Sequence, residues 1–464
     1  MFVGLRPEGE RKMRTSGCRN AESIVRAAIE RVDPMKMIAE SLVLDESVLQ
    51  IRAAAQTYSV DLADFHRVIV LGAGKAGATM TLGLEEVLGD WITDGVVAVK
   101  AGHTGNASTK VRLVEAGHPV PDRNSVHAAR EVLRLAESAD EGTLCIALIS
   151  GGGSSLLTLP ASFEGMQLTL EDIQVTTQLL LGAGTPIGEI NCVRKHLSGI
   201  SGGRFCRVVA PATLVALILS DVVGDDLASI ASGLASPDNG TYQEAYQICA
   251  RDGIADQLPK RVREMLLAGM RGEIPETPKP GDPAFERVHP LLIGTNSLAL
   301  DAARQCAEEL GYNTLVLTSR LTGEAREVGR VLAGIAADIA AREVPLRKPA
   351  CLLAGGETTV TLRGSGKGGR NQEMALSFLE QIAAQPEAFR GVSFLSAGTD
   401  GNDGPTDAAG AWATPSLAER SNRSAISEAL ADNDSYHFFD GVGGLLKTGP
   451  TNTNVCDIQV LLVE

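Results

Sequence analysis

Three features are missing from this chain, and each absence removes a class of function. There is no run of eighteen or more apolar residues, and charges stand where an apolar N-terminal signal core would sit, so neither a membrane span nor a secretory leader is expected. The eight cysteines, at 18, 145, 192, 206, 249, 306, 351 and 456, include no C-x-x-C pair. That spacing favours reduced, mostly buried thiols over disulfides or a zinc site, and with it a cytoplasmic protein. A basic surplus is absent too. The formal net charge of -15 argues against a nucleic-acid or anionic-membrane surface, because such partners need basic patches to displace counterions. Any anionic ligand must then be met by a local cluster of basic side chains and backbone amides. Internal repeats and low-complexity tracts are lacking as well.

What is present is an ordinary globular composition, 44% hydrophobic and 21% charged, in 464 residues, a length better suited to two α/β domains than to one core. Short β-branched runs, glycine-rich turns and Ala/Leu-rich helical stretches follow one another, the pattern of βαβ units and parallel sheet. Nine strands are predicted, over 67–72, 95–100, 144–150, 213–220, 290–295, 314–319, 351–356, 392–398 and 457–464, nearly all continuous apolar runs of the kind covered on both faces. The last of them ends the chain and is expected to tie it into a sheet. Residues 297–311, "SLALDAARQCAEELG", read as a helix with a serine N-cap and a glycine stop. A proline-rich stretch over 268–290 is the best linker candidate. The expected organisation is a flexible segment over 1–20, an N-terminal domain over 21–280 and a C-terminal domain over 281–464.

Several glycine-rich turns follow strands and carry charge. In "VIVLGAGKAGATM", Gly72, Gly74 and Gly77 satisfy G-x-G-x-x-G between a strand and a helix. This is the context of a dinucleotide fingerprint. The second strand, however, ends in Lys100 instead of the acid that would hold a ribose. The plainer alternative is a tight turn whose glycines only permit close packing. Lys75 at the helix start favours an anionic partner there. In "LISGGGSSLL", Gly151, Gly152 and Gly153 with Ser154 and Ser155 suggest an anion-binding nest. "INCVRKHLSGISGGR" places Arg194, Lys195 and His196 together, either facing a polyphosphate or forming a solvated helix face. "LSDVVGDDLASIASG" offers Asp221 and Asp225 for Mg²⁺, with Asp226 as a helix cap. "GGETTVTLRGSGKGGRNQEMAL" is not a P-loop, since Lys367 is followed by glycine; it reads as a mobile loop presenting Lys367 and Arg370 before a helix. Asp400, Asp403 and Asp407 in "SAGTDGNDGPTDAAGAW" bind metal or shape turns.

These segments, with "AGHPVPDRNS" (116–125) and "LLKTGPTNTNVCDIQVLLV", occur in an order that resembles the glycerate 2-kinase family, whose C-terminal part is the MOFRL domain and whose members are often labelled hydroxypyruvate reductase. The resemblance runs from about residue 20 to the end. It implies two three-layer α/β domains, an N-terminal Rossmann-like parallel sheet and a C-terminal mixed-sheet MOFRL-type domain, with the active site in the cleft between them. The activity it implies is ATP- and Mg²⁺-dependent phosphorylation of D-glycerate on its 2-hydroxyl. Lys75 and Arg370 take the positions of the family's catalytic lysine and arginine. Gly74, Ser150, Gly151, Gly152, Gly153, Ser154, Ser155 and Lys195 are then expected to hold nucleotide phosphates, Asn296 and Arg370 the substrate, and Asp221 and Asp225 the metal. The protein would act as a monomer or homodimer. The rival readings are an NAD(P)H-dependent hydroxypyruvate or tartronate semialdehyde reductase, a kinase for a related hydroxy acid, and a non-catalytic sugar-acid or nucleotide sensor built on the same fold. One departure concerns substrate range: where the family reads "ASGPT-x-PD", this chain has "ASGLASPD" over 231–238.

Overall fold

The computed structural model describes residues 16–54, 56–102, 110–163 and 165–464. It divides into two compact units. One is Pro34–Ile293; the other joins the segment ending at Asp33 to Gly294–Glu464.

The Pro34–Ile293 unit opens with an antiparallel meander of β1 (Leu42–Asp45), β2 (Val48–Arg52) and β3 (Thr57–Asp61). Its main sheet contains β4 (Arg67–Ala73), β5 (Ile92–Lys100), β6 (Arg112–Ala116), β7 (Thr143–Ile149), β10 (Thr213–Leu219) and β11 (Val288–Gly294); a short hairpin, β8 (Ser162–Phe163) and β9 (Met166–Gln167), lies between β7 and β10 in sequence. The sheet order is β11-β10-β7-β4-β5-β6, and the pairings from β10 through β6 are parallel. Every residue of β7 and β10 is buried, as their unbroken apolar sequences require. Alternate residues serve opposite faces. Ile69, Leu71, Val96 and Ala98 pack with Ala128, Val132, Phe205 and Val209 from helices Arg123–Ala136 and Arg204–Val209. Val97 and Val99 instead meet the start of helix Gly77–Leu88 at Gly77, so helices cover both faces. A separate helical lobe gathers helices Leu170–Gly182, Ile187–His196, Tyr242–Arg251 and Lys260–Met270 around Leu180, Val193, Tyr242 and Leu266.

The second unit is built on a mixed sheet of β12 (Asn313–Leu321), β13 (Ala350–Gly356), β14 (Val392–Gly398), β15 (Gly410–Ala413), β16 (Leu445–Leu446) and β17 (Asp457–Val463), ordered β12-β13-β17-β14-β15-β16. The last strand of the chain lies in its centre, antiparallel to both β13 and β14 and buried throughout. Phe378 of helix Arg370–Ala384 stacks on Phe394 of β14 with ring centroids 4.4 Å apart.

All nine strands expected from the sequence are present, and the C-terminal strand is tied into a sheet as expected. Short or half-exposed strands such as β1–β3, β6, β15 and β16 were not expected, because they lack a long apolar run. Two boundaries differ from the expected ones. The proline-rich stretch does not separate the units: β11 follows it and adds to the first sheet as an edge strand, so the division falls near 293/294 instead of 280/281. Residues 1–15 lie outside the described residues, but 16–20 begin helix Ser16–Arg31, which belongs to the second unit. There Asn20 Nδ2 donates to Tyr312 Oη at 2.9 Å, Thr453 Oγ1 donates to the Val32 carbonyl at 2.5 Å, and Ile24 is fully buried. The helix after β11 is Asn296–Glu309, capped by Thr295 Oγ1 instead of Ser297.

All eight cysteines are free; burial pushes Cys145, Cys192 and Cys206 up to about 12, which keeps them as thiols. Among the described residues, no helix is long and apolar enough to cross a membrane.

The unit assignment makes a direct prediction. Ile24→Asp places a charge in an apolar interior and should destabilise its unit by several kcal/mol. Hydrogen exchange should then accelerate in β14 and β17 while β4 and β7 keep their protection. Loss of protection in β4 and β7 instead would refute the assignment of this helix.

Candidate active site

Counted in order of appearance from the β6 edge, the main sheet of the first unit reads 3-2-1-4-5-6, so its order reverses between β4 and β7. Open parallel sheets form a crevice at such a switch point, beyond the carboxyl ends of the strands. The turns that leave β4 and β7 are the two glycine-rich motifs. They interlock: Lys75 N–H donates to the Gly151 carbonyl at 2.9 Å, Ser150 N–H to the Ala73 carbonyl at 3.1 Å, and Ala76 N–H to Ser150 Oγ at 3.1 Å. A methyl group at Gly72 would lie 2.0 Å from the Leu148 carbonyl oxygen, and one at Gly74 1.9 Å from Ser150 Oγ. Both glycines have positive φ, 142° and 155°. The plainer reading of the fingerprint therefore holds in large part: these glycines let two turns pass each other.

The interlock gathers chemistry beside it. The Cβ position of Gly152 lies 3.4 Å from Lys75 Cγ and 3.0 Å from His118 Nε2, and that of Gly151 lies 2.1 Å from Asp221 Oδ2. Burial raises the Asp221 pKa, and the positive charge of Lys75 works against that rise. Lys75, the Gly151–Gly152 turn, His118 and Asp221 thus form one cluster drawn from the ends of β4, β7, β6 and β10. His118 lies in the segment "AGHPVPDRNS" but receives no role from sequence, because its place depends on the chain from β6 passing over the turn. Ser150 and Ser155 are buried and occupied, Ser150 by the Ala76 amide and Ser155 by the Pro119 carbonyl at 2.9 Å. Ser154 instead lines a cavity with Thr158, Arg194, Ser198, Ser201 and Ser232.

Lys195 requires a correction. It is only 6% exposed, and its Nζ lies 3.3 Å from Asp238 Oδ1 inside the helical lobe. Asp238 also accepts from Thr277 Oγ1 at 3.0 Å and from the Gly240 amide at 3.2 Å. His196 bridges the Cys192 carbonyl and Glu276. The charge of Lys195 is already met, and it serves the lobe instead of a phosphate.

In the second unit, Arg370 is the first residue of its helix. Its Nε and Nη2 grip Asp457 at 2.6 and 2.9 Å, and Nη1 lies 2.8 Å from Glu357. Burial lowers the Arg370 pKa, but Asp457 and then Glu357 more than offset this and raise it. Burial pushes the Asp457 carboxyl up against the opposing pull of Arg370. Asp403 accepts the amides of Asn371 and Gln372 at 3.1 and 2.9 Å, capping the helix, while its burial pushes it up to about 6. Asn296 Nδ2 donates to the carbonyls of Val455 and Asp457 at 2.8 and 3.0 Å, which supports the start of β17, while its Oδ1 is buried without a hydrogen-bond partner.

The glycine loop before Arg370 is bonded along its length to a neighbouring segment. The amides of Arg363, Ser365 and Lys367 donate to Asn433 Oδ1, Asp432 Oδ1 and Asp434 Oδ1 at 2.7–2.9 Å. Methyl groups at Gly364, Gly366, Gly368 or Gly369 would approach Asp432, Asp434, Ser435 or Asp403 within 2.4 Å. Its glycines serve close packing, and Lys367 sits over the Tyr436 ring, 4.5 Å from the centroid.

No group of three or more His, Cys, Asp or Glu side chains among the described residues could by itself hold a metal ion. Asp407 is already bonded to Tyr436 and Lys447. Asp221 does fit Mg²⁺ of the kind completed by water and substrate phosphates, since such an ion takes only one or two protein carboxylates and would relieve the burial of this one.

Fold and site together define a doubly wound α/β protein with a lysine and a carboxylate at the switch point, joined to a mixed-sheet α/β unit. Residues 20–267 match the model described as "Domain of unknown function (DUF4147)", and residues 350–457 match the MOFRL family. The chain is 42% identical over 446 residues to D-glycerate 2-kinase of Thermotoga maritima, covering 95% of this chain and 99% of that protein. It is also 42% identical over 401 residues to a putative hydroxypyruvate reductase of Agrobacterium vitis, covering 86% and 87%. The crystal structure of glycerate kinase from Thermotoga maritima superposes with a TM-score of 0.83 at 40% identity, covering 97% of this chain and all of that one. The chain belongs to the glycerate 2-kinase family.

The revised place of Lys195 can be checked. Lys195→Met leaves Asp238 buried without its cation and should cost about 3–5 kcal/mol of stability. A thermal melt reads this as a large fall in Tm. An unchanged Tm with a raised KM for nucleotide would restore the phosphate role.

Proposed function

We propose that this protein is an ATP-dependent kinase that transfers the γ-phosphoryl group to the 2-hydroxyl of D-glycerate, giving 2-phosphoglycerate and ADP. The observation that carries this reading is the packing of Lys75 against the Gly152 turn, beside Asp221, at the switch point of a sheet shared with glycerate kinases. Phosphoryl transfer needs positive charge on the equatorial oxygens of the moving group and little covalent help. Lys75 supplies one such charge, and the amides of Gly151 and Gly152 are offered toward the phosphates, that of Gly153 being donated to the Ser150 carbonyl. Arg370, in the second unit, is the other cation that the family resemblance marks as catalytic. Asp457 fixes the Nε and Nη2 edge of its guanidinium, while Nη1 meets Glu357, which at 43% exposure can give way to a phosphate oxygen. Asp221, with Asp225 from the same loop, would hold Mg²⁺, which when bound neutralises phosphate charge.

The reductase reading draws less support. The glycines of the fingerprint are committed to passing the neighbouring turn, Ser150 occupies the Ala76 amide, and β5 ends in Lys100 where an acid would bind a ribose.

A coupled assay with D-glycerate, ATP and Mg²⁺ should yield ADP and 2-phosphoglycerate, with no turnover once Mg²⁺ is chelated. Oxidation of NAD(P)H by hydroxypyruvate without ATP would overturn the proposal. Lys75→Ala should lower kcat by about a hundredfold or more with the melt unchanged, the scale of losing one preorganised charge contact. Arg370→Lys keeps a cation beside Asp457 but loses the fork, and a kcat reduced by at least tenfold is expected. Near-normal turnover in either variant would remove that residue from the mechanism.

A further inference from the structure

A half-buried cation loses part of its hydration, and an internal acceptor normally offsets that loss. Lys75 and Lys100 are half-buried without one: among the described residues neither takes part in an ion pair, side-chain hydrogen bond or ring contact. Every other described lysine has such a partner. The two exceptions are neighbours in the fold. β4 and β5 run parallel with Ala73 opposite Ala98, and Gly74 N–H donates to the Ala98 carbonyl at 3.1 Å. Lys75 and Lys100 each stand two positions beyond that pair, at the carboxyl ends of adjacent strands. On its other side Lys100 is opposite Ala116 of β6, two positions before His118, which packs on Gly152. By alternation Lys100 shares the face of Val96 and Ala98, whose core includes Leu156 from the short helix Gly153–Leu156 of the glycine turn. Glu115 of β6 is opposite Val99 and so belongs to the other face; it accepts the Gly102 amide at 2.9 Å.

We infer that Lys100 is a second phosphate-binding cation of the switch-point site, holding the non-transferred phosphates of the nucleotide while Lys75 faces the γ-phosphoryl group; this rests on the kinase reading above. In a chain of net charge -15, an anion is captured only where local positive charge is left uncompensated, and this is such a place. A nucleoside triphosphate carries several negative charges along one chain. Two ammonium groups on strands about 4.8 Å apart, with the Gly151 and Gly152 amides beside them, match that spread better than a single carboxylate does. An ammonium acts as a point charge and needs no fork geometry to do so. In a dinucleotide site the same strand end meets the ribose, and a cation there would take a 2′-phosphate. The β4 turn is closed against Ser150, so the polyphosphate is the better occupant, and the 2′-phosphate becomes an outcome of the test.

The test uses the full chain with Lys100→Met and Lys100→Arg. In steady-state assays, Lys100→Met should raise the KM for MgATP by about 10–100-fold, the effect of losing one charge-assisted contact, and leave the KM for D-glycerate within about twofold. Lys100→Arg should recover most of the loss. Without ligand the Met variant should melt at or above the wild-type temperature, because no internal partner is left behind; a clear fall in Tm would make Lys100 structural and overturn the inference. Binding is read without turnover: MgADP should raise the Tm of the wild type, and most of that rise should vanish in Lys100→Met. No protection of the wild type by MgADP, or protection by NADPH alone, overturns the polyphosphate site. Unaltered kinetics in Lys100→Met, or a raised KM for D-glycerate alone, also overturns it and leaves the kinase standing. Lys100-dependent protection by MgADP with no phosphorylation of D-glycerate keeps the phosphate site and sinks the D-glycerate kinase.

Discussion

The constraint on which the first unit depends is that two turns must pass each other where the sheet reverses direction. In a parallel sheet every strand ends on the same side, so the chain leaving β4 and the chain leaving β7 compete for one space. Gly72 and Gly74 resolve the conflict by removing the side chains that would collide with Leu148 and Ser150. The backbone bonds Lys75 to Gly151 and Ser150 to Ala73 then lock the two turns in register. Lys75 and the Gly151–Gly153 turn are positioned as one object. Asp221 completes it from β10, against a glycine that leaves room for its carboxylate.

The second unit solves a different problem, how to hold an arginine in place at the start of a helix. The helix dipole disfavours a cation there, and Asp403 and Asp457 answer it with two buried carboxylates. Asp403 accepts the first backbone amides, and Asp457 grips the guanidinium edge. Asp457 opens β17, the central strand, so the orientation of Arg370 is inherited from the middle of the sheet. The glycine loop leading to it is equally fixed, pinned along Asp432–Asp434. Its richness in glycine is a consequence of close approach, and composition alone does not distinguish that from motion.

The strands were legible because each fully buried one leaves an unbroken apolar run, while β1–β3 and β6 hide among polar residues at exposed edges. Chain division was less legible. A proline-rich stretch resembles a linker, yet whether the strand after it joins the preceding sheet or starts another is decided by which edge is open, and β11 found one beside β10. Helix Ser16–Arg31 joins residues nearly three hundred positions away for the same reason, since its apolar stripe of Ile24, Val25, Ala28 and Ile29 finds its matching surface there. Of the site, Lys75, the glycine turn and Asp221 were legible because strand ends are where doubly wound sheets place chemistry. The segment that holds His118 was legible as a motif, but its place in the site was not, because only the folded path of the loop after β6 brings it in.

The pair Arg194–Lys195 marks the limit most sharply. Adjacent residues on a helix point about 100° apart, so of two neighbouring cations one can enter a lobe while the other faces a cavity. Which does which is set by Asp238, a residue 43 positions away whose carboxylate claims Lys195. Asp238 closes the stretch "ASGLASPD", where this chain departs from its family's pattern. The replaced positions, Leu234 and Ala235, are 3% and 6% exposed and belong to the core packed against the main sheet. Ser232, from the shared part of the motif, is the member of this stretch that lines the cavity. The departure thus falls on the core side of the segment, and the polar side, whose Ser232 lines the same cavity as Arg194, keeps the family's residue.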